Sequence, residues 1–328
     1  MKILVTGSSG HLGEALMREL PGLGHEVVGI DVLHSPFTTR VGSVTDAGFV
    51  GDVMRGVEVV LHTATLHKPH VATHPAQAFV DVNISGTLTL LEAAVANGVN
   101  AFVFSSTTSV FGRAMVPADD APAQWVTEAL QPIPRNIYGV TKLAAENLCE
   151  LYWQRYQLPT VVLRLSRFFL EDDDDRTARE AFESDNLKLV EMLYRRVDIE
   201  DAVRANICAY ERAAGLGFTR CIISATTPFE PDDTSALNGR AAEVVSRRSP
   251  GYERLFAARG WRMPNRIGRV YDNAHARRAL GWAPAYSFES AVARLRAGCD
   301  YRSALSLAVG KKPYHAQTFE EGPYPVDP

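Results

Sequence analysis

The stretch V-T-G-S-S-G-H-L-G constrains this chain more than any other. It sets Gly7, Gly10 and Gly13 between two patterned segments. Ile3-Leu4-Val5 before it is a short β-branched-rich run that reads as a buried strand, and Leu12, Ala15, Leu16 and Leu20 after it recur at helical spacing. Glycine permits a sharp turn and a close backbone approach, and the first turn of a helix has unpaired N–H groups. Strand, glycine turn and helix in that order make a cradle for a pyrophosphate, with the backbone from Ser9 through His11 and Leu12 facing the anion.

Residues 26–31 read as a second strand ending in an acid, Asp31. A carboxylate there accepts hydrogen bonds from the adenosine ribose hydroxyls and repels a 2′-phosphate, so the pattern predicts NAD rather than NADP. Arg40, close by, keeps an NADP reading open.

The alternation continues. Residues 57–62, 101–105 and 160–165 read as strands, and 83–97 and 138–156 as helices, the first followed by Gly98 and the second stopped before Pro159. Further on, 187–195, 200–213, 274–280 and 288–297 read as helices and 220–224 as a strand. This predicts an α/β fold, a doubly wound parallel sheet with helices on both faces.

A chain of 328 residues, 46% hydrophobic and 22% charged, has material for a sizeable core, and a net charge of -4 argues against a general nucleic-acid binder. Cys149, Cys208, Cys221 and Cys299 are widely spaced and form no C-x-x-C pair, so they indicate neither a zinc site nor a disulfide framework. They read as buried thiols in a reducing cytoplasm. No signal peptide precedes Met1-Lys2-Ile3, and no apolar run reaches the ~18 residues of a membrane span, so the expectation is a soluble cytoplasmic protein with no membrane partner.

Y-G-V-T-K places Tyr138 and Lys142 four residues apart, on one face of a helix. A phenol titrates near ~10, and a neighbouring ammonium favours its phenolate, so the pair predicts a tyrosine base activated by a lysine. The segment before it, F-S-S-T-T-S-V-F-G from Phe104, ends a strand where doubly wound sheets bind ligands, and a hydroxyl there can bond the substrate oxygen.

The glycine turn, H-T-A-T at His62, V-N-I-S-G-T-L-T-L-L-E-A-A from Val82, F-S-S-T-T-S-V-F-G, Y-G-V-T-K, L-R-L-S-R from Leu163 and R-R-A-L-G-W-A-P from Arg277 come in order over residues 1–300. Together they resemble an extended short-chain dehydrogenase/reductase of the NAD-dependent epimerase/dehydratase branch. The resemblance implies a Rossmann-type NAD-binding domain over 1–166, to which 214–226 returns. It implies a smaller, mixed substrate-binding region over 167–310, with 311–328 as a tail. It makes Tyr138 the acid/base, Lys142 its partner and Thr107 the assisting hydroxyl, with Ser106 adjacent. It adds Ser43, Val44, Ala64, Asn83, Ser105 and Leu165 to the cofactor contacts, Ser43 standing where the family usually has an aspartate. It also suggests a homodimer through the helices that follow Asn83 and Tyr138.

Family members that dehydrate nucleotide sugars resemble T-D-E after the serine/threonine position; Thr107-Thr108-Ser109 has neither carboxylate, which disfavours dehydration. An epimerase of a sugar or nucleotide sugar, which takes the hydride and returns it, remains open. So do a dehydrogenase of a small polyol, sugar or hydroxy acid and, from another class, a regulatory NAD-binding protein without catalysis. The substrate half departs from its relatives: Arg167 replaces an asparagine, and Tyr194-Arg195 replaces an arginine-aspartate pair. Arg164, Arg167, Arg195 and Arg196 are candidates to meet a diphosphate or a carboxylate. Thr108, His67, Lys68 and His70 are candidates to line the substrate cleft. The run E-D-D-D-D, 171–175, reads as a solvated loop rather than a cation site, because consecutive carboxylates do not easily converge on one ion. No metal is expected.

Overall fold

A computed structural model describes residues 1–313 together with His315 and Phe319. Most of the expected tail therefore lies outside the described residues. The strands are β1 Lys2–Thr6, β2 Glu26–Asp31, β3 Arg40–Val41, β4 Val59–His62, β5 Ala101–Thr107, β6 Gln124–Val126, β7 Thr160–Leu165, β8 Phe218–Ile223 and β9 Arg269–Tyr271. Seven of them form one sheet in the order β3-β2-β1-β4-β5-β7-β8, every neighbouring pair parallel. β6 and β9 pair separately. This is a Rossmann-type sheet. Its winding reverses between β1 and β4, and a crevice opens beyond the carboxyl ends of those strands.

The strands carry unbroken apolar runs because both faces are covered. Ile3, Val5, Leu61, Val103 and Leu163 face helices His11–Glu19 and Ile199–Leu216. Their alternates Leu4, Val60, Phe102, Phe104 and Val162 face helices Ala47–Val53, Gly86–Ala96 and Ile137–Tyr156. Burying a side chain of this size contributes roughly 1.5–3 kcal/mol. The two layers therefore hold the loops at the carboxyl edge in fixed positions. A third apolar cluster, with Leu189, Leu193, Phe229, Leu237, Val245, Phe256 and Phe288, forms the core of the region after β7.

Three expectations are corrected. The helix expected over 83–97 starts at Ala76 behind Pro75, passes through a π-helical turn at Val80–Ser85 and continues as Gly86–Ala96. The whole stretch, Ala76–Ala96, is long and apolar enough to cross a membrane by length and composition. Here it lies on the sheet through Leu90, Leu91 and Ala94. Of the thiols, Cys149 and Cys221 are buried, but Cys208 is half-buried and Cys299 exposed, because Cys299 follows Gly298 out of helix Phe288–Arg296.

Candidate active site

A cleft of 1540 Å³ opens at the carboxyl edge of the sheet, lined by the glycine turn, Asp31, the segment 63–70, Tyr138 and the segment 165–176. Gly7 adopts φ +71°, and a Cβ there would lie 2.8 Å from the Ala64 backbone. At Gly13 a Cβ would lie 1.9 Å from the Gly7 carbonyl oxygen. The turn is tied down by N–H groups of Gly7 and Ser8 donating to Ile30 O at 2.8 and 3.2 Å. Asp31 accepts from the N–H of Ser9 and of Leu33, both at 3.0 Å, so one carboxylate both fixes the turn and faces the cleft. Gly13→Ala is expected to force the turn open. Overpacking of this kind costs about 1–3 kcal/mol, which predicts roughly tenfold or greater loss of dinucleotide affinity by calorimetric titration. Unchanged affinity would detach the turn from the cofactor.

Gly7, Ser9, Gly10, His11, Leu12 and Gly13 all line the cleft, as do Ser43, Val44, Ala64, Ser105 and Leu165. Ser43 bonds Thr45 Oγ1 at 2.7 Å. The Ser105 hydroxyl is buried and has no hydrogen-bond partner among the described residues. A buried hydroxyl of that kind is costly, and a ligand in the cleft would satisfy it. Arg40 lies over the Phe49 ring at 5.7 Å and does not line the cleft, which removes the residue that kept NADP open. Asn83 is corrected as a direct contact. Its Oδ1 accepts from Thr65 Oγ1 and Leu66 N–H at 2.9 and 2.8 Å, and its amide donates to Leu66 O and Thr141 Oγ1, both at 3.0 Å. It clamps the loop beside the cleft to the helix behind it.

Helix Ile137–Tyr156 starts at Asn136, whose side chain accepts from Gly139 N–H at 3.0 Å. That cap puts Tyr138 in the first turn, at the cleft. Tyr138 is 3% exposed and has the Thr107 side chain beside its hydroxyl; Thr107 Oγ1 accepts from Ser109 N–H at 3.0 Å. Lys142 is one turn deeper, 1% exposed, its Nζ 4.0 Å from the centre of the Phe104 ring. It does not line the cleft. Burial pulls the Lys142 ammonium down to about 7 and pushes the Tyr138 phenol up, with only the Thr107 bond opposing. Burial therefore works against both charges, the Tyr138 phenolate and the Lys142 ammonium.

The hydroxyls of β5 have separate partners. Thr107 serves Tyr138, whereas Ser106 donates to the buried Glu146 carboxylate at 2.5 Å, alongside Arg164 Nη2 at 2.8 Å. Ser106 still lines the cleft, so its bond ties the cleft wall to Glu146, whereas Arg164 is corrected to a structural role beneath the site. Thr108 lines the cleft. His62 also works beneath it, bonding Thr6 and Thr87 at 2.8 and 2.9 Å. His67 packs edge-on against both Tyr138 and Phe169, ring centres 5.1 Å apart in each case. Burial, then the nearby cationic side chains, keep His67 well below its usual range and so neutral. His70 Nδ1 accepts from His67 N–H at 3.0 Å.

The acidic run is a solvated loop only in part, since Asp172 and Asp175 are exposed and the two aspartates between them are not. Asp173 and Asp174 are 8% and 6% exposed, folded into the cleft wall. Arg167 bonds Asp173 and Asp174, the latter at 2.8 Å, and reaches Glu191 at 3.4 Å. Arg195 pairs with Glu191 at 2.5 Å and Asp173 at 3.5 Å, Arg196 with Glu191 at 2.9 Å, and Lys68 with Asp174. The arginines account for the difference: buried cations need anions, and Asp173 and Asp174 lie six and seven residues beyond Arg167. Residues that sequence reasoning missed also line the cleft: Ser166, Phe168, Phe169, Arg269 and Tyr271. Ser166 and the aromatics sit beside the L-R-L-S-R motif and were within its reach. Arg269 and Tyr271 arrive on β9, which only the fold brings near.

A family model described as NAD dependent epimerase/dehydratase family matches residues 3–217. The uncharacterized UDP-glucose epimerase YtcB of Bacillus subtilis is 32% identical over 188 residues, 50% of this chain and 55% of that protein. The UDP-glucose 4-epimerase of Rhizobium meliloti is 34% identical over 174 residues, 49% of this chain and 50% of that protein. These matches thus span about half the length of the curated relatives. Among solved structures, UDP-glucose 4-epimerase from Thermotoga maritima, with UDP-glucose, superposes with a TM-score of 0.60 at 22% identity, covering 91% of this chain and 99% of that one. A short-chain dehydrogenase/reductase superfamily protein from Agrobacterium tumefaciens, with bound NAD, gives 0.62 at 23% identity, covering 91% and 98%. The cofactor is NAD, and the cleft fits it: the glycine cradle has no room for a Cβ at Gly7 or Gly13, and the buried Ser105 hydroxyl has no partner among the described residues.

Proposed function

The chain belongs to the NAD-dependent epimerase/dehydratase family of extended short-chain dehydrogenase/reductase enzymes, and we propose that it is an epimerase of a sugar. The observation that carries the chemistry is the placement of Tyr138 and Thr107 together at the wall of a cleft shared with the glycine turn. Bound NAD supplies the hydride acceptor and, oxidised, the positive charge that a Tyr138 phenolate needs. Tyr138 takes the proton of a secondary sugar hydroxyl as its carbon gives up hydride, and gives that proton back when the hydride returns to the other face. Thr107 orients the same oxygen. Lys142 lies one helical turn beneath Tyr138, buried on the Phe104 ring.

Return of the hydride requires a cofactor that does not leave between the two half-reactions. Glu171 accepts from His11 Nε2 at 2.8 Å and from Lys312 N–H at 2.6 Å, and Lys312 Nζ pairs with Glu14 at 2.5 Å. Two segments distant in sequence thereby fold across the N-terminus of helix His11–Glu19, the end that faces a pyrophosphate. This supports retained NAD, and so epimerisation over net oxidation. The purified protein is expected to carry NAD through gel filtration and to interconvert sugar epimers without accumulating NADH. Stoichiometric NADH release with added NAD would make it a dehydrogenase instead. Exposed Val140 and Leu151 on helix Ile137–Tyr156 support a homodimer through that face, which light scattering tests.

A further inference from the structure

Four cations on the far side of the cleft are already paired within the chain itself. Arg167 and Lys68 are held by Asp173 and Asp174, and Arg195 and Arg196 by Glu191. The carboxylates come from a strap, 171–174, that is fastened on several sides. His11 and the Lys312 N–H hold Glu171, Ser184 donates to Asp172 at 2.7 Å, and Arg179 donates to the Asp173 carbonyl at 2.6 Å. Asp175 then caps helix Arg176–Ala181.

The strap is also a partition. Behind it lies a second void of 290 Å³, and Arg167, Glu171, Asp172 and Asp173 face both that void and the main cleft. Anything long enough to reach from Tyr138 past Arg167 meets this wall. A diphosphate would have to expel two buried carboxylates from their cations and leave them without partners, and removing one member of a buried pair is strongly unfavourable. On the near side, the groups left for a ligand are few. Ser166 is 2% exposed with no hydrogen-bond partner among the described residues. The buried Nε of Arg269 also has none, and Arg269 and Arg135 have no carboxylate partner there.

We propose that the strap 171–174 closes the nucleotide side of the cleft, so that the substrate is a free monosaccharide, polyol or sugar acid with no nucleoside diphosphate. Arg269 and Arg135 line the cleft and can meet a carboxylate of such a molecule. This rests on the hydride-transfer reading of Tyr138 and narrows it to a substrate class.

The test uses the NAD-loaded protein with UDP, UDP-glucose, and a panel of free hexoses, pentoses, polyols, uronates and aldonates. Calorimetry is expected to show no saturable binding of UDP or UDP-glucose up to about 1 mM, the weak end of specific affinity. Turnover is expected only within the free-sugar panel. In Asp173→Ala/Asp174→Ala, Lys68 and Arg167 are released and UDP affinity is expected to rise at least tenfold over wild type. Micromolar binding or turnover of UDP-glucose by wild type would overturn the proposal, whether or not that variant folds. If UDP-glucose turnover were lost in Tyr138→Phe, only the substrate class would fall. If turnover of any substrate survived that substitution, the hydride reading itself would fall.

Discussion

Tyr138→Phe is expected to lower kcat by about 10²–10⁴-fold, the range that a positioned general acid/base supplies, while NAD affinity stays within about twofold of wild type. The substitution removes one oxygen. The ring keeps its edge-on packing against His67 at 5.1 Å, and Asn136 still caps the helix, so the site should hold its shape. What disappears is the hydroxyl that lies beside Thr107 at the cleft wall and takes the proton from the alcohol in the proposed mechanism. The pH profile gives a second readout. Burial holds the Tyr138 phenol above its usual value, so the base form is scarce near neutrality and wild-type oxidation should speed up as pH rises into the alkaline range. The variant should lose that rising limb along with its rate. Circular dichroism and calorimetric NAD titration, run beside a steady-state assay, separate loss of chemistry from loss of fold. Near-normal turnover in the variant would remove Tyr138 from the mechanism.

The nucleotide half of the molecule was legible from sequence because its signals are local. Gly7 and Gly13 turn the chain within a few residues of the strand and helix they join, and Asp31 ends the next strand, so spacing along the chain already encodes spacing in the cleft. Tyr138 and Lys142 lie on one helix, and their mutual spacing was legible too. Their electrostatics were not, because Lys142 rests on Phe104 from another strand, and dehydration by the whole fold outweighs the short distance between the pair. Ser106 and Thr107 show the limit of reading a motif without its packing: both line the cleft, but the Ser106 hydroxyl is tied to Glu146 from the helix behind it. The substrate half was least legible. Its charges are consecutive in sequence but their partners are not: Lys68, Arg167, Arg195 and Arg196 come from three separate segments. Counting arginines and aspartates alone could not show that they neutralise one another.

That network also predicts the largest loss of stability. Glu191 is fully buried at the end of helix Ser184–Glu191, and it faces Arg195 at 2.5 Å, Arg196 at 2.9 Å and Arg167 at 3.4 Å. Burial alone would raise its pKa, but Arg195, Arg167 and Arg196 together outweigh that and hold it down to about 2. A shift of that size from the ordinary 4.5 corresponds to about 3 kcal/mol, of the same order as the ~3–5 kcal/mol lost when one partner of a buried pair is removed. Glu191→Gln keeps the shape and deletes the charge, leaving three guanidinium groups to share two aspartates. Its Tm at neutral pH should fall by on the order of 5–10 °C. Because the folded-state pKa is depressed, the stability Glu191 supplies is present above about pH 4.5 and is lost as the pH falls toward about 2. Wild type should therefore lose stability across that acid window more steeply than Glu191→Gln, and the two Tm curves should converge at its lower end. Equal Tm values at neutral pH would show that the arginines find other partners, and the strap would then have to be regarded as movable. A large neutral-pH loss that vanishes in acid would show that the wall beside the substrate is held in place by charge.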